Sequence, residues 1–483
     1  MGADSHEGNP PYAMKCSNHG RISAPLVLVL ACGSGRSPVG VDAEPVLAVL
    51  NDDNSDPRVV EVSLQAREAV KHYTGASATP VWAYNGTIPG PLIEANVGDE
   101  LVVHFQNNLP EATTIHWHGL RVPATMDGTL AVQSPIVPDG TFEYRFRLED
   151  AGLFWFHPHV RSDVQVEKGL YGVIRVRGDE APALGAGLDE DRVIVLDDVR
   201  VLADGSLPTY LDDESKMLGR QGNVLLFNGR SMPTIRWRAG ALERLRFVNV
   251  ANGRFFNLAL PGYRWRVIGT DGGLLPRPYD IDHLLISPGE RYDVMLIVNG
   301  AAGSEVTLMN DPYERGHDTG KEPPWPVATF VVTDDAPLTG RLLPSVFADI
   351  ERLPDRPADG DIVLDEGIRD GALVFTINGA TFPDVPKVVV PAGAVRTFDV
   401  RNASEMDHPF HIHGTFFQVS SRDGVPTPAE ALANKDTVIV PQMATLKLVA
   451  RFDEPGRWMY HCHVLEHAEG GMMGEIDVED VSQ

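Results

Sequence analysis

Along most of the chain, apolar and polar residues alternate in short runs rich in β-branched and aromatic side chains, each closed by turn residues. Few stretches carry the period of an amphipathic helix, so the pattern predicts an all-β protein. Three segments share one layout: an Asn-Gly pair, a Pro, a Gly-containing turn, then an alternating apolar strand with Asn near its end. Their anchors are Asn85-Gly86, Asn228-Gly229 and Asn378-Gly379. The first leads through Val97-Gly98 to the strand 101–105, the second through Ala239-Gly240 to 245–248, and the third through Ala392-Gly393 to Phe398 and Val400. A repeat of about 140 to 150 residues suits three β-sandwich or barrel domains in tandem, expected at 58–180, 188–336 and 361–483. The Pro- and Asp-bearing stretches 179–187 and 354–361 mark the joints, the second at the end of a linker spanning 337–360.

Residues 33–57 read as a polar linker. Before it, Lys15 and Arg21 precede an apolar run, 22–31, ending Val29-Leu30-Ala31-Cys32-Gly33. That is the layout of a secretory signal, so 1–32 is expected to direct export to the periplasm or beyond. The run is far shorter than the roughly 20 residues of a membrane span, which favours removal over permanent insertion. Ala31 before Cys32 resembles a bacterial lipoprotein cleavage box, so a lipid anchor at Cys32 stands beside ordinary cleavage. Asp4 and Glu7 suit a signal poorly and point to Met14 as the translation start.

Composition narrows the partners. The 41 Lys and Arg against 67 Asp and Glu leave a formal charge of -26, which repels nucleic acid and anionic lipid and chiefly confers solubility. A chain of 483 residues can hold two to four domains with their own cores. The three cysteines, Cys16, Cys32 and Cys462, have such different surroundings that no disulfide framework is suggested.

Ten of the 16 histidines fall into four clusters: His116-Trp117-His118, His157-Pro158-His159, His408-Pro409-Phe410-His411-Ile412-His413, and His461-Cys462-His463 followed by His467 and Met472. Side chains alternate across a strand, so a His-x-His pair points both imidazoles to one face. Neutral imidazole is the common nitrogen ligand of copper and zinc, and eight such rings could line one polynuclear site. In the last cluster Cys462 faces away from His461 and His463, so its thiolate can serve a different metal from theirs. With His467, Met472 and the distant His408 it would make a His₂Cys site with a weak axial thioether, the ligand set of blue copper. Zinc would want more thiolates.

The four clusters resemble, nearly letter for letter, the copper signatures of three-domain multicopper oxidases, including bacterial laccases and copper-efflux oxidases, over residues 58–480. The resemblance implies tandem cupredoxin-like Greek-key domains and four copper ions. It implies a type 1 copper on Cys462, His408 and His467 with Met472 axial, and a type 2 copper on His116 and His411. His118, His157, His159, His413, His461 and His463 would hold a type 3 pair. Domain 2 gives no ligand in this family, and here Arg254-Phe255-Phe256-Asn257-Leu258 stands near where the other repeats have His-x-His. A reducing substrate would hand single electrons to the type 1 copper through the edge of His467, Cys462 would pass them on, and dioxygen would be reduced to water. Asp127 matches the family's acid beside the cluster, whereas the acid that many bacterial members carry directly after the second type 1 histidine is Ala468 here, with Glu469 next.

Copper-efflux members carry a Met-rich insertion near the type 1 site. None of the 12 methionines lies between Met309 and Met406, so phenols or aromatic amines are favoured over cuprous ion as the small-molecule reductant. Two other classes compete: a copper nitrite reductase, which needs neither a third domain nor eight clustered imidazoles, and a non-enzymatic cupredoxin scaffold, which would have lost ligands.

Overall fold

The computed structural model describes residues 44–480 except 74, 76, 179–187, 209–211 and 346–348. The expected signal segment with Cys16 and Cys32, and the connector 179–187, lie outside the described residues. The described chain is overwhelmingly β, with six sheets that stack as three sandwiches, its strands running over 59–177, 190–332 and 360–479. All three sandwiches use one topology. Their first strands, Val59–Lys71, Glu190–Val199 and Gly360–Arg369, each pair antiparallel with the next strand of their sheet and parallel with a third. Alternation drives the burial: Val60, Val62, Leu64 and Ala66 of the first strand point inward, while Ser63, Gln65 and Arg67 face solvent.

The recurring Asn-Gly pair does the same work three times. Asn85, Asn228 and Asn378 sit at φ 51°, 49° and 52°, a left-handed conformation that Asn tolerates best among non-glycine residues. Each Asn side-chain oxygen accepts from a backbone N–H of the first strand, Gln65, Val195 or Val363, at 2.7 Å. The Asn near the end of the inner strand is likewise a staple. Asn107, Asn249 and Asn402 are fully buried, and each donates from Nδ2 to two carbonyls further along the chain while accepting the N–H two residues on.

Apolar packing is unequal between repeats. One continuous core joins side chains of the first and third sandwiches, whereas the middle one has its own and shares a smaller cluster with the first through Val193, Val195, Val248 and Val250. The 33–57 stretch is more than a linker over its described part, since Leu50 and Leu92 exchange backbone bonds with Leu92 and Ala48, and Asn228 donates to the Pro45 carbonyl.

Two buried tyrosines give a test of the first core. The Tyr144 hydroxyl accepts from the Ile115 N–H at 2.9 Å, directly before His116, whereas the Tyr84 hydroxyl is buried without a partner. Tyr144→Phe should cost about 1–3 kcal/mol by orphaning that N–H, while Tyr84→Phe should be neutral or stabilising. The denaturation midpoints of the metal-free variants decide it; equal losses would contradict the assignment.

Candidate metal centre

Four short strands carry the ligand candidates: β1 (His116–His118), β2 (Gly152–His157), β3 (His408–Ile412) and β4 (Gly456–Cys462). β1 pairs with β2 so that His116 faces His157, and β3 pairs with β4 so that His411 faces His461. Between His116 and His118, Trp117 turns into the shared core against Tyr144. Each wall thus offers imidazoles from one face and apolar weight from the other.

Eight imidazoles, His116, His118, His157, His159, His411, His413, His461 and His463, meet between the first and third sandwiches. Their ligand nitrogens form overlapping trios within 4.8 Å, among them His116, His411 and His413, and His159, His413 and His461. His118 and His463 lie with ring centroids 4.9 Å apart, and His157 and His463 5.6 Å. The tautomers follow from the acceptors. Nδ1 of His116, His157, His411 and His461 donates to the carbonyl of Asp127, Pro158, Asp436 and Cys462 respectively, at 2.8–2.9 Å. A carbonyl can only accept, so Nε2 keeps its lone pair. Nε2 of His116, His157, His159 and His411, and Nδ1 of His118, are buried with no hydrogen-bond partner. The Nε2 atoms of His413 and His461 face each other at 3.1 Å. Unpaired buried nitrogens converging on one interior point fit a bound metal and leave no apolar explanation.

Burial depresses the pKa of His118, His157, His159, His413, His461 and His463 well below the ordinary imidazole range, helped by neighbouring imidazoles. The rings are therefore neutral and ready to ligate.

A second trio lies behind β4. Cys462 Sγ is 3.4 Å from His408 Nδ1 and 3.7 Å from His467 Nδ1, and those two nitrogens are 3.2 Å apart. All three residues are fully buried. Burial pushes the Cys462 thiol up to about 12 and the His408 imidazole down to about 3. Helix α1 (Ser162–Glu167), helix α2 (Asp213–Leu218) and helix α3 (Leu465–Glu469) close over this side. Met472 is buried, with its N–H on the His467 carbonyl and its own carbonyl on the Cys462 N–H, at 2.9 and 3.1 Å.

The edge of His467, through which electrons are expected to enter, lies under protein atoms. Its Nε2 donates to the Met217 carbonyl of α2 at 3.1 Å, and Phe375 stacks on the ring at 3.9 Å. A backbone carbonyl has no sequence signal, so nothing in the residue pattern announced this cover. Asp127 stands where it was expected, fully buried, with Oδ2 3.0 Å from His413 Nδ1 and Oδ1 3.2 Å from His116 Nδ1. Glu469 lies elsewhere, accepting from Ser162 N–H and Oγ at 2.8 Å at the start of α1. Reading the sequence missed Asp436, whose Oδ1 accepts from His118 Nε2 at 3.1 Å. Burial pushes its pKa up, but Arg291 overcomes this and holds it well below the usual carboxylate range. Glu466, raised to about 7 by burial and bonded to Asn252 at 2.9 Å, was missed too.

The chain matches three family models described as multicopper oxidase, over residues 66–181, 202–321 and 355–482. It is 32% identical over 435 residues to the multicopper oxidase MmcO of Mycobacterium tuberculosis, covering 83% of this chain and 84% of that protein. The solved multicopper oxidase of Campylobacter jejuni, described as a metallo-oxidase, superposes with a TM-score of 0.80 at 30% identity, covering 90% of this chain and 94% of that one. A laccase-like multicopper oxidase from Ochrobactrum sp., with oxidase activity towards lignin model compounds, gives 0.79 at 28%, covering 90% and 100%.

The pKa directions predict the proton count on metal loading. The Cys462 thiol is fully protonated near neutrality and must lose its proton to ligate, whereas imidazoles such as His118 and His463, held well below the ordinary range, are already neutral and release none. Cuprous loading, followed by calorimetry in buffers of different protonation enthalpy, should release about one proton more from the wild type than from Cys462→Ser. An equal release from both would place the thiol outside the site.

Proposed function

The chain belongs to the multicopper oxidase family, and we propose that its two buried centres divide the work of a laccase-like enzyme, one collecting single electrons and the other using four of them on dioxygen. The carrying observation is β4, on which Cys462 joins one centre while His461 and, one residue beyond the strand, His463 join the other. Four copper ions are assigned. His408, Cys462 and His467 would hold the type 1 ion, with Met472 as weak axial donor, and His116 and His411 the type 2 ion. One ion of the type 3 pair falls to His118, His157 and His463, the other to His159, His413 and His461. Copper held by these donors supplies one-electron acceptance and the four-electron reduction of dioxygen to water.

The chain's own residues set the rest. An electron leaving Cys462 has only adjacent bonds to cross to His461 and His463, so substrate and dioxygen never share a site. Asp127, fixed on His116 and His413, is the acid we assign to the proton path; Ala468 and the engaged Glu469 offer no second one there. Because the Met217 carbonyl covers His467, the reductant works through α2 rather than by touching the imidazole. Phenols or aromatic amines remain the favoured substrates, supported by the absence of methionine between Met309 and Met406. A metal ion is the second reading, favoured by that same cover, which a donor needing no ring-to-ring contact tolerates. The apolar run 22–31 supports export, with Cys32 cleaved nearby or lipidated.

Copper content and oxygen consumption of the purified protein test the reading: about four ions per chain and substrate-dependent oxygen uptake are expected, and a copper-free, inert protein sinks it. Cys462→Ser should abolish the blue absorption and substrate oxidation together. His118→Ala should stay blue and reducible by substrate yet be re-oxidised by dioxygen orders of magnitude more slowly in stopped flow. Fast re-oxidation would contradict the division of ligands.

The axial assignment has its own check. Met472→Leu should raise the type 1 potential by removing a donor to Cu(II), and Met473→Leu should not. A redox titration with an equal or larger shift at Met473 would name the wrong methionine.

A further inference from the structure

The middle sandwich contributes no imidazole to either centre, yet it reaches the eight-imidazole one through Arg291, the first residue of the strand Arg291–Ile297. Arg291 is fully buried and all five of its side-chain N–H groups are used. Nε donates to the Leu153 carbonyl of the first sandwich at 3.0 Å. One terminal nitrogen donates to the Gly289 carbonyl at 3.1 Å and to Asp436 Oδ1 at 2.6 Å. The other donates to the Asp271 carbonyl at 3.1 Å and to Asp436 Oδ2 at 2.5 Å.

Asp436 belongs to the third sandwich, and the guanidinium fork fixes both of its oxygens in one plane. From there it acts on both walls of the centre. Its Oδ1 accepts from His118 Nε2 at 3.1 Å and from Thr437 Oγ1 at 2.9 Å, while its backbone carbonyl accepts from His411 Nδ1 at 2.8 Å. His118 comes from the first sandwich and His411 from the third. His118 has Nε2 bonded and Nδ1 unpartnered, the reverse of His116, His157 and His411. Were the carboxylate free to rotate away, only Thr437 Oγ1, 3.1 Å from Nε2, and stacking on His411 would resist turning of that ring.

We propose that Arg291 is a positioning residue lent by the middle sandwich, holding Asp436 in the orientation that makes His118 present Nδ1 to the metal. The inference rests on the copper reading above. It gives the ligand-free sandwich a role at the oxygen-reducing centre that goes beyond spacing its neighbours.

Arg291→Lys keeps the charge but cannot fork, and Asp436→Asn keeps the shape but turns an amide nitrogen towards a guanidinium. Each should weaken copper retention at the eight-imidazole centre about 10- to 100-fold, read by chelator competition, while the blue absorption of the Cys462 site persists. Because the two residues act in series, the double variant should be no worse than the poorer single one. Thermal melts of the metal-free proteins first establish folding; if Arg291→Lys does not fold, Asp436→Asn decides alone. Wild-type retention, loss of the blue site in equal measure, or multiplying losses in the double variant would each overturn the inference. A wild-type protein that binds no copper would instead overturn the reading beneath it, and this inference with it.

Discussion

A β-strand can offer consecutive side chains only to opposite faces, and this molecule is arranged around one strand that needs both. Cys462 looks towards His408 and His467, while its neighbours look towards imidazoles of the first sandwich. The strand Gly456–Cys462 of the third sandwich must therefore lie against the first, and the continuous core shared by those two sandwiches supplies the adhesion. The middle sandwich has a core of its own, meets the first in a smaller apolar cluster, and contributes from the side, with a buried arginine on one centre and a helix carbonyl over the other.

Such a site is expensive without its metal. Each buried, unpaired ring nitrogen costs on the order of 1–3 kcal/mol, so the set approaches the whole stability of a typical domain. The surrounding fold has to carry that load. It does so with carbonyls and carboxylates that satisfy the other nitrogen of these rings, and those same bonds dictate which nitrogen faces inward. Stabilising the metal-free state and orienting the ligands are thus one device.

What could be read in advance was whatever repeats or alternates. The Asn-Gly turns recur because the same backbone geometry recurs, and the His-x-His pairs are visible because a strand's period is written into consecutive letters. Asp436 was not legible. It reaches His411 only through the pairing of His411 with Thr437 across β3, and His118 only through the docking of two sandwiches. Arg291 lies in a repeat whose letters carry no metal signature, and it looks like any strand arginine until Asp436 is beside it. Met217 acts through its carbonyl, which every residue has, and Glu469, the acid next to Ala468, is engaged with Ser162 at the start of α1.

The walls of the eight-imidazole centre are separated in the chain by the whole middle sandwich, from His159 to His408. During synthesis the first wall is complete long before the second exists, so no segment emerging early can enclose the ions. Enclosure of the metal must then wait for the third sandwich, which brings His411, His413, His461 and His463 to the centre. The supply of copper to this protein is a matter for the compartment where it finishes folding, not for the ribosome that makes it.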